Sequence, residues 1–193
     1  MKHVVKNIVF VFIFVFIILL VGCNSTVSRN QELISAEQLM EERPDSSLII
    51  LQGIDTMSLK SSADKALYSV LYVQALDKNY IDTQDISQIQ RAVDFYKDLD
   101  DEYHKMLSYY YLARIQEYSK AIINLLKAEV SAKKINNYFY LGLICRSFSD
   151  IYNNAYNSVE SLNYAQKAYE YFQLSGYTNY ADWGLWDIGK AFH

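Results

Sequence analysis

Small and large apolar residues in the second half of this chain recur in a frame of 40 positions, and a frame of that length restricts how the polypeptide can bury its surface. Counting from Ser149, the segment places Cys145, Phe148, Tyr152, Ser161, Ala165 and Ala168 at offsets of −4, −1, +3, +12, +16 and +19. One frame earlier, Ala121, Leu125 and Ala128 stand where Ser161, Ala165 and Ala168 do. One frame later, Leu185, Ile188, Gly189 and Phe192 repeat the spacing of Cys145, Phe148, Ser149 and Tyr152. A unit of that size cannot cover its own apolar face, so neighbouring units must stack on it. One proline and six glycines in 193 residues leave few points at which strands and tight turns are punctuated, while Ala, Leu, Lys, Gln and Glu recur at helical spacing. The chain therefore reads as all-α, built from antiparallel helix pairs.

Local signals place the helices. Ser35-Ala36-Glu37-Gln38 reads as a capping box that starts a helix, which Arg43-Pro44 stops. A short helix is expected from Asp45 or Ser46 to Gln52, with Gly53 as its C-terminal cap. Ser61 or Ser62 caps a longer helix carrying Leu67, Leu71, Ala75 and Leu76 on one face; Asn79 to Thr83 break it, and Thr83 begins another through Ile86, Ile89, Val93 and Tyr96. Between Tyr103 and Ile135 there is neither Gly nor Pro. That segment is either one helix of about 45–50 Å or a hairpin closed by a few residues. The hairpin, turning near Gln116 to Ser119, is the expectation.

The offsets around Ser149 resemble the tetratricopeptide repeat, in which small residues let helices A and B approach closely and large ones fill the space between them. Met40-Glu41-Glu42-Arg43-Pro44-Asp45-Ser46, the segment Ala75 to Asp82 and Tyr109-Tyr110-Tyr111-Leu112-Ala113-Arg114-Ile115 are similar to segments of tetratricopeptide-repeat lipoproteins of the Bacteroidetes type. The resemblance implies a solenoid of helix pairs with a groove lined by helix A side chains. Two departures stand out. The small residue of the earlier helix A falls at Ala113 instead of Tyr109, as though four residues were missing from the A-to-B turn. The last helix A, with Trp183, Leu185, Trp186, Ile188 and Phe192, has no helix B to cover it, which implies a C-terminally truncated member with an incomplete last repeat. Five large apolar side chains in that position are expected to self-associate or be capped by another polypeptide.

The N-terminus resembles a bacterial lipoprotein signal. Leu20-Val21-Gly22-Cys23 is similar to a lipobox, Lys2 and Lys6 supply a basic flank, and no acidic residue occurs before Glu32. The apolar run from Ile8 to Val21 falls short of the roughly 20 residues that cross a bilayer. The expected organisation is a signal peptide over residues 1–23, lipidation at Cys23, a flexible tether over 24–31 and a helical domain over 32–193. Such a chain is anchored in a bacterial membrane by its acyl chains and faces the periplasm.

Charge and chemistry narrow the function. With 22 acidic against 18 basic side chains, the chain has no electrostatic reason to bind nucleic acid. If Cys23 is acylated, Cys145 is left alone on an apolar helix face, a packing residue with no disulfide partner. His104 and His193 have no ligand partners at metal-binding spacing and are expected to be solvated. Asp100-Asp101-Glu102 reads as the start of a helix, complementing its dipole. No catalytic, metal or cofactor site is expected. The groove positions in the 40-residue frame are Tyr110 and Arg114, then Leu143, Arg146, Asp150 and Asn153, then Trp183, Trp186 and Lys190; aromatic residues and Arg concentrate binding energy at interfaces. The reading is a membrane-tethered scaffold without catalytic activity that holds a protein or peptide in this groove. The alternatives are the truncated sensory half of a tetratricopeptide-repeat regulator and a glycan-capture lipoprotein.

Overall fold

The computed structural model describes residues 30–190. Cys23, the signal segment, most of the tether, Phe192 and His193 lie outside the described residues. Nine helices make up the described chain: α1 (Gln31–Leu39), α2 (Pro44–Gly53), α3 (Ser62–Lys78), α4 (Ile86–Tyr96), α5 (Glu102–Arg114), α6 (Tyr118–Lys134), α7 (Tyr138–Asn154), α8 (Ser158–Ser175) and α9 (Thr178–Lys190). No strand occurs among the described residues, and none of the described helices is long and apolar enough to cross a membrane.

Side-chain caps set most of the helix starts. Asn30, Ser61, Asp85, Asp101, Asn137 and Asn157 each accept a backbone N–H from the first turn of the helix they precede, satisfying a donor that has no partner within the helix. Four boundaries differ from the sequence expectation, one of them at Gly53, which is the last helical residue of α2 and not its cap, the C-cap being Ile54 in extended conformation. Ser35 is not a cap; its hydroxyl donates to the Gln31 carbonyl inside α1, which starts at Gln31 under Asn30. Pro44 does more than stop α1, since it occupies the first position of α2, where its missing N–H costs nothing. Asp85, not Thr83, caps α4, while the Thr83 hydroxyl accepts the Asp85 N–H.

The segment from Tyr103 to Ile135 is a hairpin, turning through Ile115 to Glu117, so Tyr118 and Ser119 already belong to α6. This turn is as long as the one between α7 and α8, Ala155 to Asn157. No residues are therefore missing from the A-to-B turn: α5 ends at Arg114 and α6 begins at Tyr118, each 40 positions before the end of α7 and the start of α8, so Tyr109 and not Ala113 keeps the place of Ser149. With 13 residues against 17 in α7, α5 simply begins about one helical turn later in the frame. Three helices, α3, α6 and α7, end on Tyr80, Asn136 and Tyr156 in the left-handed region, with φ of 58°, 53° and 56°. At each, the next N–H returns to a carbonyl five residues earlier: Ile81 to Leu76, Asn137 to Ala132, Asn157 to Tyr152. The same C-terminal closure is thus used three times.

Each helix packs chiefly on its neighbours in sequence, and α1 with α3, α3 with α5 and α7 with α9 also touch. Ring contacts between Tyr110 and Tyr140 carry the series from α5 to α7, so the odd-numbered helices lie side by side. Where α7 meets α8 the small residues permit close approach. Ser149 Oγ donates to the Ser161 carbonyl at 2.9 Å and Ser161 Oγ to the Ser149 carbonyl at 3.1 Å. Ala165 and Ala168 beside them are fully buried, as Ala121, Leu125 and Ala128 are on α6. On α9, a Cβ at Gly184 would lie 3.0 Å from Tyr169 Cα, so glycine sets how closely α9 rests on α8.

His104 is the clearest correction. It is buried, not solvated, with a carboxylate on each ring nitrogen: Asp101 Oδ2 at 2.7 Å from Nδ1 and Glu37 Oε1 at 2.8 Å from Nε2. Asp101 caps α5 and Glu102 stands in its first turn, as the acidic run implied. Glu102 also accepts from Lys105 and Lys134, and the Lys134 and Ser131 hydrogen bonds hold its carboxyl down at about 2 against a small opposing effect of burial.

Candidate functional site

Side chains three or four residues apart share one helix face, and three of the odd-numbered helices turn such a face toward one cavity of about 490 Å³. From α5 come Tyr110 and Arg114, from α7 Phe139, Leu143, Arg146 and Asp150, and from α9 Tyr180, Trp183 and Trp186. The end of α3 closes the other side with Asp77, Lys78 and Tyr80.

Of the positions expected from the 40-residue frame, Tyr110, Arg114, Leu143, Arg146, Asp150, Trp183 and Trp186 line this cavity. Tyr110 is buried and forms part of its floor, where burial pushes the phenol up to about 12. Lys190 stands behind the wall: its Nζ lies 3.4 Å from Asp150 Oδ1 and 4.8 Å from the centre of the Trp186 ring. Asn153 is half-buried and does not reach the cavity. Asp77, Lys78, Tyr80, Phe139 and Tyr180 belong to the wall but escaped the sequence reading. Tyr180 carried a signal, since it stands one frame after Tyr140, and Phe139 precedes Leu143 by one helical turn.

The charged groups in the wall are paired. Arg114 donates to Asp77 through Nε at 3.1 Å, with Nη2 3.0 Å from the same oxygen. Lys78 contacts Glu41, just beyond α1, at 2.9 Å. Arg146 Nε lies 2.5 Å from Asp187 Oδ2, and its guanidinium sits 4.7 Å above the Trp183 ring. Asp187 is buried, which pushes its carboxyl up against the opposing pull of Arg146, and its Oδ1 has no hydrogen-bond partner. Arg146 therefore has structural work in holding α9 to α7. Beneath the floor a buried polar chain joins three helices: Gln74 Nε2 donates to the Tyr140 hydroxyl at 3.0 Å, which lies 3.2 Å from that of Tyr111.

A second cavity of about 450 Å³ shares Asp77, Tyr80 and Arg114 with the first and is otherwise lined by Val73, Ile81 to Gln84 and Ile115 to Glu117. The Asp77–Arg114 pair is the partition between them. Among the described residues no group of three His, Cys, Asp or Glu side chains is placed to hold a metal ion. Cys145 is buried between helices, and burial pushes its thiol up to about 12, so it is a packing residue and a poor nucleophile. The cavity thus presents aromatic side chains packed edge to face and paired charges, an arrangement suited to holding a ligand.

Compared with family models, curated proteins and solved structures, the chain matches none.

Proposed function

We propose that this protein is a non-catalytic binding module, held at a bacterial membrane by acyl chains on Cys23 and facing the periplasm, whose helix pairs stack as tetratricopeptide-like repeats around a groove for a protein or peptide. The observation that carries this reading is that residues from α5, α7 and α9, picked out by one 40-residue frame, line a single cavity. The paired serines at the α7–α8 crossing and the buried alanines of α6 and α8 support the repeat reading. Exposed Trp183 and Trp186 support binding, because a partly exposed indole gains most from being covered.

Site-specific photo-crosslinking tests the groove. A crosslinker placed at Leu143 or Trp186 should trap the same partner polypeptide from envelope extracts, and one at Lys167, on the exposed face of α8, should not. Equal trapping from all three positions would defeat the groove. Incorporation of a fatty-acid analogue into the wild-type chain but not into Cys23→Ser tests the anchor.

A further inference from the structure

The His104 triad counts its own protons. A neutral imidazole has one N–H and one acceptor nitrogen, and an ionised carboxylate can only accept. Yet both ring nitrogens of His104 face carboxylate oxygens, at 2.7 Å to Asp101 and 2.8 Å to Glu37. Both contacts are hydrogen bonds only when an extra proton resides in the triad. The two carboxylates are not equivalent. Asp101 belongs to the same helix end as His104 and is fixed there, because its Oδ1 accepts the His104 backbone N–H at 3.1 Å. Glu37 comes from α1, 67 positions away in the chain.

We propose that His104 is a proton-operated clamp that holds α1 against α5: charged, it bridges Glu37 to Asp101, and on losing its proton it turns a lone pair toward one of them and releases α1. The surroundings favour such a device. The imidazole is stacked on Tyr96 of α4, with ring centres 5.1 Å apart, and meets the edge of Tyr103 at 5.3 Å. The imidazole is buried, while the side chains of Glu37 and Asp101 keep 26% and 32% of their surface exposed. The groups that act on its charge are Glu37 from α1 and Asp101 from the α5 cap. Burial works against the charge, but hydrogen bonds and attraction from the two carboxylates outweigh it, so His104 ionises above ordinary imidazole.

The clamp reaches the cavity through α1. Glu41 follows Glu37 by four positions and holds Lys78 at 2.9 Å, and Lys78 lines the cavity wall. Glu41 lies just beyond the end of α1, so displacement of α1 bears on the pair that holds Lys78. The clamp itself does not depend on the cavity binding anything.

With the folded-state midpoint raised, the stabilisation is complete below the unfolded midpoint near pH ~6.5 and is lost as pH rises through the folded midpoint. Two measurements on the full-length chain test this. The His104 Cε1–H resonance, assigned by its absence in His104→Gln, should titrate above free imidazole. Hydrogen exchange read by mass spectrometry over residues 31–42 should then lose protection between pH 6 and pH 9. The loss should be about tenfold for each pH unit separating the measured midpoint from that of free imidazole. Glu37→Gln, which keeps the shape of the side chain, should abolish that pH dependence, and this variant keeps the test available if His104→Gln fails to fold. A His104 midpoint at or below free imidazole overturns the clamp. So does α1 protection that is independent of pH, or that varies with pH equally in Glu37→Gln.

Discussion

Ala165 lies fully buried at the face where α8 meets α7, beside Ala168 and Ser161. A leucine there has no space, so Ala165→Leu should destabilise the fold by about 1–3 kcal/mol in urea unfolding. Lys167 is exposed, and Lys167→Leu should change stability by less than about 0.5 kcal/mol. Equal midpoints for the two variants would show that the crossing is misplaced. This crossing was legible in the sequence because small residues four and seven positions along a helix line up on one face, and close approach is their main use. His104 was not legible. Its nearer partner, Asp101, is only three positions away and read as part of an acidic helix start, which it also is as the cap of α5. The partner that changes its meaning, Glu37, is brought to it only by tertiary packing.

At the scale of the element, the two glycines of α9 do opposite things. A Cβ at Gly184 would press on the Tyr169 backbone at 3.0 Å, whereas one at Gly189 would meet nothing within 4 Å. Gly184→Ala should therefore push α9 off α8 and destabilise the protein by about 1–3 kcal/mol. Gly189→Ala should be neutral or stabilise by up to about 1 kcal/mol, through the better helix propensity of alanine. Thermal unfolding of the two variants beside the wild type checks both signs. Helix existence was readable from spacing, but several starts were not, because Asn30 and Asp85 are as good caps as the Ser and Thr residues nearby. The late start of α5 shows a similar limit. The frame placed a shortfall between Ala113 and Ala121, whereas the packed structure keeps the α5–α6 turn in register with the α7–α8 turn and begins α5 one turn later than α7.

At the scale of the whole molecule, the frame carried the groove forward from α7 to α9, since Leu143, Arg146 and Asp150 each have a counterpart 40 positions on. It did not carry it back to α3, because Asp77 meets Arg114 at a separation of 37 and falls outside the frame. On α9, Leu185 and the half-buried Ile188 stand where Cys145 and Phe148 of α7 receive α8, and Leu185, Trp183 and Trp186 are 53%, 43% and 62% exposed. An apolar face of this kind favours association. Size-exclusion chromatography of residues 24–193 should show a species larger than the monomer, and Leu185→Glu with Ile188→Glu should return it to the monomer. Identical monomeric elution of both proteins would remove self-association.

The chain holds 18 tyrosines but only two tryptophans, and both sit on α9 in the cavity wall. Indole fluorescence excited at the red edge is therefore a label that the protein already carries at a single address. Arg146 and Lys190 lie over the two rings, at 4.7 and 4.8 Å from their centres. Displacing either cation, whether by an occupant of the cavity or by α9 lifting from α7, must alter the emission while far-ultraviolet circular dichroism, summed over every helix, scarcely moves. Emission and ellipticity recorded together through one titration will separate events at α9 from unfolding of the rest, with no dye attached.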